Sequence, residues 1–372
     1  MPWKEQTVAT SRAEFVRLTR QKVISVSEAC RRAGISRKTG YKWLHRCQTG
    51  DLADFADQSR RPKHSPYRTD PSMERLVVQL RREQPAWGGR TISRILHDQG
   101  YQEVPHPNTI TDILRRHHLL IPITAPSRPW QRFQHEAPND LWQMDFKGDV
   151  RLAQGRCHPL TILDDHSRFA VGLHACLDQQ TATVREQLID LFRRYGLPRS
   201  MLMDNGSPWG SDREHPHTPL TVWLMRLGIV VSHGRPYHPQ TQGKVERFHR
   251  TLQAELLRYH TFRTQDECQQ HLDRWRDIYN QRRPHQALDL HTPISRYQPS
   301  PRSYPEQLPE LVYGPEDQVR MVQAQGWLSY LGRDIKVSKA FRGQPVAIRP
   351  TLIDGVMEIY FAQTKIKTFD LT

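Results

Sequence analysis

Apolar positions recur at helical spacing through the first third of the chain and mostly at strand spacing in the segments that follow. Between Ser25 and Leu44 the pattern predicts two short helices. Ser27 is placed to cap the first and Ser36 the second, each offering a hydroxyl to an N–H that a helix start leaves unpaired. Gly34 supplies the turn, Tyr41 and Leu44 fall on one inward face, and Arg37, Lys38, Lys42 and Arg46 point outward. This is the plan of a helix-turn-helix whose second helix fits a DNA major groove. Residues 71–120 repeat it. Met73, Leu76, Val77 and Leu80 form one stripe, Gly88-Gly89 breaks it, and Ile92, Ile95 and Leu96 form another. A third helix opens at Asn108 or Thr109, with Ile110, Ile113 and Leu114 inward and Arg115 and Arg116 outward.

Past residue 136 the pattern changes. Short strands are predicted at 141–146, 158–163 and 169–174, the last two as a hairpin around Asp164-Asp165-His166-Ser167. A helix follows over 181–195, a buried strand over 201–203 ending in Asp204-Asn205-Gly206, a helix over 220–227 and a strand over 229–232. Two further helices are expected at 240–259 and 265–280. Early strands with helices between the later ones predict an α/β domain with a mixed sheet. Prolines crowd residues 293–309, and short β-like runs in 311–372 predict a small β-barrel. The expected organisation is a helix-turn-helix domain at 1–56, a linker at 57–70, a second helix-turn-helix domain at 71–121, and a linker at 122–136. An α/β core at 137–290, a Pro-rich linker at 291–310 and the barrel at 311–372 complete it.

Charge sharpens this reading. The 372 residues carry a net charge of +15, and residues 1–136 hold 24 basic against 13 acidic side chains. A basic N-terminal third points to a polyanionic partner, because clustered Arg and Lys release counterions from phosphate; double-stranded DNA is the expected one. No apolar run reaches the roughly 18 residues of a membrane span, and Met1-Pro2-Trp3-Lys4-Glu5 does not open a signal peptide. The five cysteines are isolated, with no C-x-x-C, so neither a disulfide framework nor a zinc knuckle is expected, and a reducing cytoplasm fits.

Three acidic residues stand out by position. Asp145 is polar within the otherwise apolar strand around Trp142, Met144 and Phe146; Asp204 ends a second strand; Glu246 lies on a helix with Val245, Phe248, Leu252 and Leu256 inward. Two strand carboxylates beside a helix Glu would make an oxygen-rich cluster suited to two Mg2+ ions, with Mn2+ as a substitute. Two such ions can clamp the attacking and leaving oxygens of a phosphoryl displacement. Arg250 and Lys244 lie near the Glu246 face and are expected to meet DNA phosphate. Asp164 and Asp165 fit a turn-shaping role. The histidines at 215, 217, 233 and 238 match no zinc spacing.

Residues 137–285 resemble the integrase core of DDE transposases and retroviral integrases. The matching segments are Trp142–Asp145, Leu163–Phe169, Asp204–Gly206 and His238–Leu252, and Asn280–Leu288 with Thr292-Pro293 resembles the stretch that follows the core in bacterial insertion-sequence transposases. The resemblance implies an RNase H-like fold and assigns catalysis and metal binding to Asp145, Asp204 and Glu246. It implies a transposase that binds terminal inverted repeats, frees 3′-hydroxyls and joins them to target DNA as a dimer or larger assembly, in the bacterial cytoplasm with the nucleoid. One departure is the 42-residue separation of Asp204 and Glu246, longer than the family's common spacing; residues 209–218 read as an inserted polar loop, and Glu214 within it is the rival third acid. A non-catalytic DNA-binding regulator derived from a transposase is the alternative, and an RNase H-like nuclease acting without transposition is a third.

Overall fold

The computed structural model describes residues 7–47, 52–57, 68–120, 134–210, 217–234 and 243–371. The chain divides into two compact units, Met1–Arg68 and Thr69–Thr372.

The first unit holds helices α1 (Val8–Arg20), α2 (Val26–Arg32) and α3 (Arg37–Arg46) and a 3-10 turn at Leu52–Phe55. Phe15, Val16, Ala29, Cys30, Trp43 and Phe55 form its core. Ser36 caps α3 as expected, but Ser25, not Ser27, caps α2, because it is Ser25 that holds an extended backbone and accepts from Glu28 N–H. Leu44 packs against this core as expected, but Tyr41 is exposed, and the fully buried aromatic of α3 is Trp43. The register follows from Gly40, whose missing side chain lets α3 close on Cys30 and Phe15.

The second unit begins with α4 (Pro71–Glu83), α5 (Gly89–Asp98) and α6 (Pro107–Arg116), around a core of Val77, Leu80, Ile92, Leu96, Ile110, Ile113 and Leu114. Pro107 rather than Asn108 or Thr109 opens α6, since proline suits a position whose N–H is spare. Ile278, from a helix of the following domain, packs against this same cluster.

That domain contains β1 (Leu141–Phe146), β2 (Val150–Arg151), β3 (Arg156–Asp164), β4 (Ala170–Cys176), α7 (Thr181–Tyr195), β5 (Ser200–Met203), α8 (Pro219–Arg226), β6 (Val230–His233), α9 (Gly243–Leu252) and α10 (Gln265–Gln281). β4, β3 and β1 are antiparallel neighbours; β1, β5 and β6 are parallel; β2 pairs with the start of β3. Trp142, Met144, Ile162, Val171, Met201 and Met203 bury one face under α7 and α8. The opposite face meets α9 and α10 through Leu163, Leu173, Phe248, Trp275 and Tyr279.

Two expectations change here. The helix expected over 240–259 is α9 followed by a π-helical turn at Gln253–Leu257, its first residues lying outside the described ones. The turn brings Glu255 inward to Trp275 Nε1 at 3.1 Å and Arg283 Nε at 2.8 Å. Trp209, read as the start of a polar loop, is a core residue stacked on Phe146. Residues 211–216, with Glu214 and His215, and residue 238 lie outside the described residues.

The Pro-rich segment is packed, not free. Tyr297 stacks on Phe169 with centroids 4.1 Å apart, and Arg302 donates to the carbonyls of Pro198, Leu227 and Gly228. Beyond it, β7 (Gln318–Met321), β8 (Trp327–Tyr330), β9 (Arg333–Lys336), β10 (Pro345–Pro350), β11 (Val356–Phe361) and β12 (Thr364–Asp370) form two antiparallel sheets, β12-β11-β10-β7 and β8-β9. Their shared core includes Phe341, Ile348 and Phe361, with Val222 and Met225 of α8.

Candidate active site and nucleic-acid interfaces

The pleat of β1 explains its odd composition. Side chains alternate between faces, so Trp142 and Met144 enter the core under α7 while Gln143 and Asp145 turn toward α9. β5 runs parallel to β1 with Gln143 opposite Leu202. Two residues further along both chains stand Asp145 and Asp204, on the same face. Asp204 shapes its own turn, its Oδ1 accepting from Gly206 N–H at 3.0 Å, and its carbonyl lies 2.8 Å from His233 Nδ1. α9 packs across this face and carries Glu246 in its first turn, exposed beside the buried Val245.

Electrostatics reports the proximity. Asp145 is pushed up from an ordinary 3.8 to about 6, first by burial, then by the charge of Asp204 and, to a smaller degree, that of Glu246. The three carboxylates thus share one field. Among the described residues, however, no three His, Cys, Asp or Glu side chains are drawn close enough to hold one ion. The donor chemistry fits a hard divalent cation: the oxygen donors of Asp204 and Glu246 stand close enough for their charges to disfavour a bare carboxylate at Asp145. His217 and His233, weighed above for zinc, form no such group.

His249 was not anticipated. It lies one turn after Glu246, a spacing that puts both on one helix face. Thr161 Oγ1 donates to the carbonyl of Asp145 at 2.8 Å and lies 2.8 Å from His249 Nε2. The hydroxyl has one proton to give, so Nε2 is the donor to Thr161 and Nδ1 keeps its lone pair, 3.9 Å from Asp145 Oδ2. Burial, with Lys147 nearby, holds the ring neutral, lowering it to about 4.

Asp164 shapes the β3–β4 turn as expected, whereas the carboxylate of Asp165 in the same turn reaches other elements; both are buried. Asp164 accepts from Ser167 N–H and Oγ and from Asn139 N–H; burial nonetheless raises it. Asp165 accepts from Gln143 Nε2, His135 N–H and Lys244 Nζ. Lys244, expected to meet DNA phosphate, is held within the chain. Its ammonium is turned inward against Asp165 at 2.5 Å, and burial lowers it to about 8. Arg250 is exposed, as expected of a side chain on the outer part of α9.

On α3, Arg37, Lys38 and Lys42 are exposed. Arg46 is not: it lies over the Trp43 ring and donates to Ala56 O at 2.8 Å, so it braces the domain. On α6, Arg115 pairs with Asp112 and Arg116 with Glu74 at 3.1 Å, both at the surface. Such pairs contribute little to stability and leave the guanidinium groups outward.

Helix trios bearing exposed basic side chains, followed by a mixed sheet with acids at the ends of neighbouring parallel strands, define a DNA-binding protein with a nucleotidyl-transfer-type core. The families bear this out. Residues 135–239 and 227–293 match the integrase core domain, 317–372 the C-terminal domain of IS481 family transposases, 39–114 a homeodomain-like domain and 11–63 a helix-turn-helix domain. The chain is 25% identical over 275 residues to an uncharacterized 31.7 kDa protein of insertion element IS407 from Burkholderia multivorans, covering 74% of this chain and 91% of that one. It is 24% identical to a putative transposase of insertion element IS5376 from Geobacillus stearothermophilus, over 97% and 88% of the two chains. Among solved structures it is similar to the catalytic core domain of HTLV-2 integrase in complex with magnesium, at 15% identity and a TM-score of 0.33, over 43% of this chain and 97% of that one. The chain thus carries segments that match an integrase core, helix-turn-helix domains and a transposase C-terminal domain, and the relatives it resembles include proteins of bacterial insertion elements. Among the described residues no helix is long and apolar enough to cross a membrane.

Proposed function

We propose that the chain is a transposase of the DDE type, binding the terminal inverted repeats of an insertion sequence and catalysing end cleavage and strand transfer. The observation that carries this reading is the pairing register of β1 and β5, which sets Asp145 beside Asp204 on the face crossed by Glu246.

Asp145, Asp204 and Glu246 would hold two Mg2+ ions, for which Mn2+ could substitute. When bound, these ions supply Lewis acidity to the attacking and leaving oxygens. The chain's own residues do the placing. Asp145 and Asp204 are fixed by strands, Glu246 by a helix whose apolar stripe is buried, and Arg250 on the exposed side of α9 faces outward for phosphate. In the first reaction a water oxygen attacks the phosphorus at the element end; the P–O3′ bond breaks and the element keeps a 3′-hydroxyl. In the second that hydroxyl attacks a target phosphodiester, forming a new P–O3′ bond and releasing the target's own 3′-oxygen as a hydroxyl. Arg37, Lys38 and Lys42 of α3, with Arg115 and Arg116 of α6, would grip the repeats. Two ends meet one target, so a dimer or larger assembly on DNA is expected, in the bacterial cytoplasm where the nucleoid is reached.

The test is incubation of the purified chain with element-end duplexes and a plasmid target, with and without Mg2+. Joined end–target products that need Mg2+ and vanish in Asp145→Asn, while end binding persists, are expected. End binding without any cleavage in the unsubstituted chain would instead favour a DNA-binding regulator derived from a transposase. Cleavage without joining would favour a nuclease.

A further inference from the structure

Glu246 is the outlying member of the triad, because it alone stands on a helix. The stripe of Val245, Phe248 and Leu252 sets which face of α9 is buried, but apolar contacts are non-directional and tolerate small slips along the helix axis. A directional contact at the same end of α9 removes that freedom. Lys244, two residues before Glu246, gives its Nζ to Asp165 Oδ1 at 2.5 Å and to the Asp165 carbonyl at 3.3 Å.

Asp165 is itself held from several sides. Its Oδ1 accepts from Gln143 Nε2 at 2.8 Å, its Oδ2 from His135 N–H at 2.9 Å, and its own N–H donates to Leu141 O at 2.9 Å. Gln143 is the neighbour of Asp145 on the same face of β1. One buried carboxylate therefore ties the strand that carries Asp145 to the helix turn that carries Glu246. A stability role does not account for it. Taking two charges out of water usually offsets their attraction, and well-packed apolar residues in their place are often neutral or stabilising, whereas fixing register is the better-attested use of a buried pair.

We propose that Asp165 and Lys244 are positioning residues that set the height of Glu246 against Asp145, acting on metal binding and chemistry rather than on folding or DNA binding. This rests on the triad reading above. The test uses the full-length chain, with Mn2+ affinity measured by titration under electron paramagnetic resonance, alongside the melting temperature, end-duplex affinity and cleavage rate. The decisive variant is the double substitution Asp165→Leu with Lys244→Met, which replaces the pair by apolar side chains. Its end-duplex affinity is expected to stay close to that of the parent and its melting temperature to fall by no more than a few degrees, from the Gln143 and His135 donors that lose an acceptor, while Mn2+ affinity and cleavage rate each fall roughly tenfold to a hundredfold, the range for losing a group that orients a metal ligand. Parent-like Mn2+ affinity in the folded double variant would overturn the proposal. Should the double variant not fold, Lys244→Arg decides: it keeps the charge but changes the reach, so a several-fold loss of Mn2+ affinity at an unchanged melting temperature is expected, and no loss overturns the proposal. Asp145→Asn separates the two levels. If it binds Mn2+ as well as the parent, the triad reading fails and this inference with it; if it loses Mn2+ while the double variant does not, only the role of the pair fails.

Discussion

Asp145 carries an electrostatic penalty that serves no structural end. Its folded acidity is about 6 against an ordinary 3.8, raised by burial and by Asp204 and Glu246. The folded chain thus holds this proton more tightly than the unfolded chain. Below 3.8 the group is neutral in both states and costs nothing; as pH rises from 3.8 to 6 stability is lost; above 6 the full penalty, at most on the order of 3 kcal/mol, is present. Asn at 145 keeps the shape and removes the charge. Asp145→Asn, free of metal at pH 7.5, is expected to melt a few degrees above the parent, since about 1 kcal/mol moves a domain of this size by roughly 2–4 °C. The gain should fade at pH 4, and Mg2+ should raise the melting temperature of the parent more than that of the variant. Calorimetry at both pH values checks this, and an unchanged or lower melting temperature at pH 7.5 would contradict the shared field. At this scale much of the site was legible. A polar residue alternating with Trp142 and Met144 in a strand is anomalous unless its face is used. What could not be read was Lys244: helical spacing puts it near the Glu246 face, and only the fold brings Asp165, 79 positions away, over that turn. His249 does leave a signal in the sequence, the i, i+3 spacing from Glu246.

Whole elements were read more securely than their ends. α7 was expected at the bounds it has, because its apolar spacing is long and regular, whereas the starts of α2 and α6 moved by a residue or two because several candidate caps lay side by side. The π-helical turn after α9 leaves no trace in local spacing; it depends on Glu255 meeting Trp275 and Arg283, which lie on or beyond the next helix. The Gly88-Gly89 break was read as one signal, yet its halves differ. A Cβ on Gly88 would meet nothing within 4 Å, but one on Gly89 would lie 2.2 Å from the Pro107 carbonyl oxygen and 2.5 Å from Thr111 Oγ1. Gly89 is thus the point where α5 closes on the start of α6. Gly89→Ala is expected to destabilise this helical trio by roughly 1–3 kcal/mol, as backbone crowding of a packed interface does, despite the better helix propensity of alanine. Gly88→Ala, at the cap and in open space, is expected to change stability by less than about 1 kcal/mol. Urea unfolding of the two variants decides, and equal effects would show that the close approach is not what the glycine pair serves.

At the scale of the molecule, the segment after residue 290 tells how the core is closed. Prolines at 293, 299, 301, 305 and 309 predict a spacer, because composition reports an extended backbone but not what the backbone lies on. The structure uses the same extended backbone as a strap. Ser300 N–H donates to Tyr195 O at 2.8 Å, Leu197 N–H to Arg302 O at 2.7 Å, and Gly196, at φ +77°, leaves room that a Cβ would fill, 2.6 Å from the Ser300 carbonyl oxygen. Tyr297 and Tyr304 complete the aromatic cluster of Phe169, Phe192 and Tyr195. Arg302 holds carbonyls from the turn before β5 and the turn before β6, so it ties together the loops that enter the strand leading to Asp204 and its parallel neighbour. A spacer and a strap respond differently to protease. Brief trypsin treatment of the native chain is expected to leave the bonds after Arg296 and Arg302 intact while exposed arginines elsewhere are cut, with mass spectrometry of the early fragments as the readout. Arg302→Ala removes three charge-assisted bonds to carbonyls, a loss on the order of 2–4 kcal/mol, and should open the bond after Arg296 to cleavage. Early cutting at Arg302 in the unsubstituted chain would return the segment to the role its composition suggests, and with it the view that the core is closed by residue 290.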